Sequence, residues 1–148
     1  MIKKSFPAIF LMLFILYGCN TGKVEYAEVN FSKPDEYFFI MEDSVKTMLA
    51  EGTIKVAEIQ DSVVSGTYTF SKVYKENFSG YSSMKGIFSG FYYVYSNKAF
   101  LDMNPKIADN NVYVSVSIFS KSIEGEWYHS SLAGTSSRGR FKAYKLKE

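Results

Sequence analysis

From Gly52 onward, short runs of β-branched and aromatic residues are separated by turn-forming residues roughly every ten positions, and this punctuation constrains the fold more than any other feature. Helices need longer runs with a 3.6-residue period, so the pattern points to strands. Val112 to Phe119 alternates most cleanly. Val112, Val114, Val116 and Ile118 fall on one face and Tyr113, Ser115 and Ser117 on the other, as expected of a sheet with one dry and one wet side. Thr53–Ile59, Val63–Tyr74, Ile87–Tyr95, Ile123–Ser130 and Arg140–Leu146 are further strand candidates. Gln60-Asp61-Ser62 and Ser96-Asn97-Lys98 read as turns, while Lys75–Gly86, Ala99–Asn111 and Gly134–Gly139 read as loops.

Pro34 to Gly52 supports two readings. Phe38, Met41, Val45, Met48 and Leu49 recur at helical spacing, with Asp35 placed to cap and Gly52 to stop a helix. Equally, Tyr37 to Met41 forms a strand and Glu42-Asp43-Ser44 a turn. The expected class is therefore all-β, either a small antiparallel barrel of the calycin kind or a sandwich of seven to eight strands, with one N-terminal helix as an option. A composition 47% hydrophobic and 18% aromatic can fill such a core. Val64-Ser65-Gly66-Thr67-Tyr68 and Ile123-Glu124-Gly125-Glu126-Trp127 echo one another, each placing an aliphatic residue, a glycine and an aromatic in the same order. This glycine-x-aromatic step resembles that of small barrels of the lipocalin and avidin kind, where the glycine lets a strand bend and the ring plugs the barrel. The resemblance favours a barrel, with Trp127 buried beside Gly125.

The first residues have a different character. Lys3 and Lys4 form a positive stretch, Phe6 to Tyr17 an apolar one, and Gly18-Cys19 follows at once. The apolar run is too short to span a bilayer and reads as a secretory signal peptide. Leu16-Tyr17-Gly18-Cys19 resembles the lipobox of bacterial lipoproteins. The resemblance implies cleavage after residue 18, diacylglycerol on Cys19 and acyl chains such as palmitate as the link to a membrane. A lone cysteine in an exported chain has no disulfide partner, which suits a thiol consumed by acylation. The organisation expected is a signal peptide over 1–18, a flexible tether over 19–30 and one β-rich domain over 31–148. The location implied is the bacterial cell envelope, with the outer membrane considered first.

Chemistry is sparse in what remains. One histidine, His129, cannot build a multi-histidine metal site, and it is expected on the surface. No cofactor fingerprint or nucleophile elbow occurs, so no cofactor and no enzymatic activity are expected. Ser82-Ser83-Met84-Lys85 has serine-x-x-lysine spacing but lacks every partner motif. Glu124 and Glu126 can share a strand face, where they read as solvated acids. The C-terminal Arg138, Arg140, Lys142, Lys145 and Lys147 read as charge balance or an edge, with anionic headgroups as the functional option. Asp43-Ser44-Val45 and Asp61-Ser62-Val63 resemble the O-glycosylation acceptor of Bacteroidetes, though a turn before a strand makes the same triplet. Removing Lys3 and Lys4 from the 17 basic residues leaves 15, equal to the 15 acidic ones, and argues against nucleic acid. The expected role is a membrane-anchored binding or interaction module whose partner is an apolar ligand, a glycan or an envelope protein. The alternative is an accessory or protective lipoprotein: an inhibitor, an immunity protein or a secretion-assembly pilot. Surplus tyrosines, among them Tyr81, Tyr92, Tyr95, Tyr113 and Tyr128, are the candidate contacts.

Growth with a labelled fatty acid should mark the protein, and Cys19→Ala should abolish the mark; an undiminished signal in that variant would remove the lipobox reading.

Overall fold

The computed structural model describes residues 26–29, 34–75 and 83–147. The expected signal peptide, Cys19, Tyr81, Ser82 and most of the Lys75–Gly86 segment lie outside the described residues. Eight strands follow in chain order: β1 (Asp35–Asp43), β2 (Met48–Gln60), β3 (Val63–Val73), β4 (Lys85–Tyr93), β5 (Lys98–Asp102), β6 (Asn111–Ile118), β7 (Ile123–Ser131) and β8 (Gly134–Tyr144). Each pairs antiparallel with the next and β8 returns to β1, so the sheet closes into an up-and-down barrel of the calycin kind. Closure leaves no free edge among the eight strands.

The ambiguous segment over 34–52 is two strands and a turn, and no helix forms there. Alternation prevails because Tyr37, Phe39 and Met41 all point inward, whereas Val45, a member of the helical pattern, is 77% exposed at the turn. Asp43 fixes that turn by accepting from the N–H groups of Val45 and Thr47 at 3.0 and 2.8 Å. The β2–β3 connection is tighter still. Asp61 and Ser62 both have positive φ, 48° and 72°, and Gln60 pairs with Val63, the two-residue type I′ hairpin that matches strand twist.

Two regions expected to be irregular contain strands. β5 occupies part of Ala99–Asn111; its five residues turn only Ala99 and Leu101 inward, too little pattern to register alone. Its partners β4 and β6 impose the extended form. β8 begins at Gly134 rather than Arg140, because polar Thr135 to Arg138 is held by pairing with β7 and not by burial. Residues 26–29, assigned to the tether from sequence, lie against the barrel. The Ala27 N–H donates to the Lys145 carbonyl at 2.8 Å, the Val29 N–H to that of Ser120 at 2.9 Å, and Tyr26 stacks on Tyr144 at 4.5 Å. Packed chain thus begins ahead of residue 31.

The interior is filled by side chains of the barrel itself. Trp127, Tyr37, Phe39, Phe88, Phe141 and Met41 are each at most 1% exposed, and an eight-stranded barrel is just wide enough for such filling. Trp127 stands beside the bend at Gly125, where a Cβ would come within 2.0 Å of the Ser115 carbonyl oxygen. The indole then reaches across β8 to β1, donating its Nε1–H to the Glu42 carbonyl at 2.8 Å. It passes over Gly139, where a Cβ would lie 1.9 Å from that same oxygen and 2.8 Å from Nε1.

Trp127→Ala should therefore cost about 3–5 kcal/mol in urea unfolding, and the parent indole should emit in the blue until the barrel opens. A red emission maximum in the folded protein would contradict the core assignment. Burial, with a smaller contribution from Asp35, holds the Tyr37 phenol well above its ordinary range, and burial also raises Tyr68. The folded state therefore keeps these protons after the unfolded chain has released them, at about pH 10. Stability is full below that pH and falls as pH rises above it. Tyr37→Phe should show a shallower alkaline loss than the parent when denaturation midpoints are compared between pH 8 and 11.

Candidate functional site

Of the five tyrosines named as contacts, Tyr81 lies outside the described residues, and the fold places the other four in three different settings. Tyr92 shares the inward face of β4 with Phe88, is 8% exposed, and places its hydroxyl 3.4 Å from Asn97 Oδ1. It belongs to the core and is withdrawn as a surface contact, because the inward parity set by Phe88 continues to the end of the strand. Tyr95 is fully exposed in the short 3-10 turn Val94–Ser96, which Asn97 closes in the left-handed region at φ 50°. Tyr113 and Tyr128 are brought together. They sit directly opposite one another on β6 and β7, half-buried on the outer wall, with ring centroids 5.3 Å apart.

Sequence reasoning missed the residues that extend this pair. Phe100 on β5 stacks on Tyr113 at 5.3 Å with an interplanar angle of 22°. Phe91 on β4 lies opposite Phe100, and Val63 on β3 opposite Phe91; these two are 52% and 46% exposed. The result is one apolar row, Val63, Phe91, Phe100, Tyr113 and Tyr128, crossing five adjacent strands on the outside of the barrel. A shallow concavity of about 270 Å³ opens along it, floored at Gly90 and edged by Ser89 and Asp102. Phe91 could have been found from parity, since Phe88 and Tyr92 inward require Phe91 outward. Phe100 could not, because its strand was not recognised. Partial burial, with Tyr113 adding to it, pushes the Tyr128 phenol up, so its hydroxyl stays a protonated donor at neutral pH. Aromatic faces flanked by hydroxyls and one carboxylate can stack on a flat ring or pack against a partner's side chains.

A second concavity of about 400 Å³ lies on the wall of β6, β7 and β8, lined by Phe119, Glu124, Glu126, Arg140 and Lys142 among others. Register places Glu124 opposite Lys142 and Glu126 opposite Arg140. Two of the five C-terminal basic residues, Arg140 and Lys142, thus stand opposite acids across β7 and β8, and a third, Lys145, pairs with Asp35 at the closing seam. The turn reading of the repeated triplets also has a geometric basis, since Ser44 and Ser62 both occupy tight hairpin turns.

His129 corrects the expectation of exposure: it is 7% exposed on the inward face of β7, opposite Val112. One ring nitrogen, Nδ1, meets the Ser136 hydroxyl, and the other, Nε2, meets Asn110 Oδ1. The amide oxygen only accepts, so Nε2 donates to it. Serine, histidine and asparagine have the composition of a catalytic relay, but Ser136 lines neither of the two concavities described above. The contacts instead pin the β7–β8 hairpin to the β5–β6 loop, where Asn104 and Asn111 are held by Asp102 at 2.8 and 2.9 Å. Among the described residues, no group of three or more histidines, cysteines and carboxylates is placed to hold a metal ion. No family model, curated protein or solved structure matches the chain.

Proposed function

We propose that this protein is a lipoprotein of the bacterial outer membrane, anchored by acyl chains on Cys19, and that its barrel is an interaction module working through the outer wall. The observation that carries the second part is the division of aromatic residues between the two faces. Inward rings are packed against one another at close to zero exposure, as Phe39 is against Phe70 and Phe141, each at 5.5 Å. A lumen large enough for a ligand would leave such rings accessible, so an apolar guest inside the barrel is the least supported of the partner classes considered. Among the described residues, the outer row from Val63 to Tyr128 has no such packing above it, and isolated exposed apolar residues need no explanation whereas a contiguous row does. Aromatic anchors beside hydroxyls suit an envelope protein or a glycan. The accessory reading, as inhibitor, immunity protein or secretion-assembly pilot, uses this same surface against a protein.

The pair of substitutions Phe91→Ser and Tyr113→Ser tests this. Together they should cost at most about 2 kcal/mol of stability, since both rings are only partly buried. They should weaken retention of the cognate partner about tenfold or more in co-purification of detergent-solubilised envelopes and in glycan-array binding. Unchanged retention by a folded double variant would rule out the row as the contact surface.

A further inference from the structure

We infer that the barrel stands end-on against the membrane that holds Cys19, with the β4–β5 turn dipping into the lipid interface; this rests on the lipoprotein reading above. The direction of the chain provides the first argument. Tyr26 pairs antiparallel with Leu146, and Ala27 bonds to Lys145 beyond the end of β8. The polypeptide therefore meets the barrel at one end, the end that also presents the β2–β3, β4–β5 and β6–β7 turns. Seven residue steps separate Cys19 from Tyr26, a span of about 25 Å at full extension. β1 and β2, of 9 and 13 residues and tilted by about 40°, make a wall roughly 25–30 Å tall. With the opposite loops on the bilayer, Tyr26 would stand at or beyond the limit of that reach. The near end has no such difficulty.

The surface of that end supplies the second argument. Tyr93, Val94 and Tyr95 are consecutive and 55%, 59% and 107% exposed. Ile118 bonds to the Asn97 carbonyl at 2.7 Å, which sets the β6–β7 turn with Phe119, 53% exposed, beside them. Ser120 in that turn receives the Val29 N–H, and Leu146, 51% exposed, flanks Tyr26. The apolar tips and the point where the tether arrives are thus one continuous region. Among the described residues at the far end, Val45, Ile107 and Leu132 sit on separate loops, and Tyr74, which shares the β3–β4 connection with Met84, is held by Glu51 and Lys72. Charge at the near end is mixed, Lys98 and Lys121 against Asp61 and Glu28, so the occupant indicated is the polar–apolar boundary of a bilayer and not an anionic surface. Tyrosine suits that boundary, with its ring in the apolar zone and its hydroxyl among headgroups.

The experiment uses the full acylated chain carrying Tyr95→Cys, labelled with a polarity-sensitive fluorophore in phosphatidylcholine vesicles; acylation leaves the introduced thiol as the reactive one. Leu132→Cys is the far-end control. The label at 95 should shift to the blue, be quenched by lipids brominated near the headgroup, and change little between low and high salt, while the label at 132 should report water. Water at both positions in an acylated chain would overturn the docking and leave the anchor standing, and a blue label at 132 alone would reverse the orientation. If fatty-acid labelling shows no acylation, the same vesicles are added to the Tyr95→Cys chain carrying Cys19→Ser. A blue shift there retains the docking without the anchor, and its absence removes both.

Discussion

The barrel closes because one position on β8 has no side chain. Gly139 lets the Glu42 carbonyl of β1 and the Trp127 indole of β7 approach from opposite sides, and any Cβ at 139 would occupy the space both need. The hydrogen bond that results spans three strands and ties the first to the last two, at the seam where chain connectivity gives no help. Loop closure over the roughly hundred residues between β1 and β8 is an entropic cost that local hairpins do not meet. The seam is strengthened again at its other end by the ion pair of Lys145 with Asp35. Everything inside the barrel depends on that closure, since an open sheet of this curvature would expose Phe39 and Phe141, which stack against one another across β1 and β8.

How much of this could be read from sequence depended on whether burial or pairing holds each segment. Val112 to Ile118 was legible because every second residue is a valine or isoleucine, and all but the last are fully inside. Trp127 was legible from the glycine two positions before it. Lys98–Asp102 was not, since its extended form comes from neighbours on both sides and only two of its residues are buried. Gly134 to Arg138 was hidden for the same reason. The competition over 34–52 turned on Val45, whose apolar side chain fits a helical face on paper but caps a turn in the fold. In the site, Tyr113 and Tyr128 were legible as aromatics on an alternating strand. Which way Tyr92 faces was not legible, because in an aromatic run such as Phe91-Tyr92-Tyr93 the residue types alone do not tell which parity faces in.

The wall and the interior follow different rules. Inside, large rings are balanced by small residues at Gly66, Gly86 and Ala143, and the space left by one is taken by another; Tyr68 lies over Gly86 in this way. Such an interior resists substitution and leaves little freedom for new chemistry. Outside, cross-strand neighbours meet only along the sheet, so aromatic residues can accumulate in a row without disturbing the packing beneath. His129 belongs to the first regime in spite of its polarity, since both of its nitrogens are engaged, one by β8 and the other by the β5–β6 loop.

Tyr26 and Leu146 lie side by side, which makes the path of the polypeptide almost a ring. In a ring of consecutively paired strands the cut can be moved without changing any neighbour relation, provided the new ends fall in an exposed turn. Joining the present ends and opening the chain between Leu132 and Ala133, where the hairpin is exposed, would keep all eight pairings and transfer the start of the chain to the opposite rim. On the proposed anchoring, a leader attached there would bring the opposite rim nearest the membrane while every strand pairing stayed the same. The pairings leave that choice to where the chain is cut, and only the side chains at the rims distinguish the two ends.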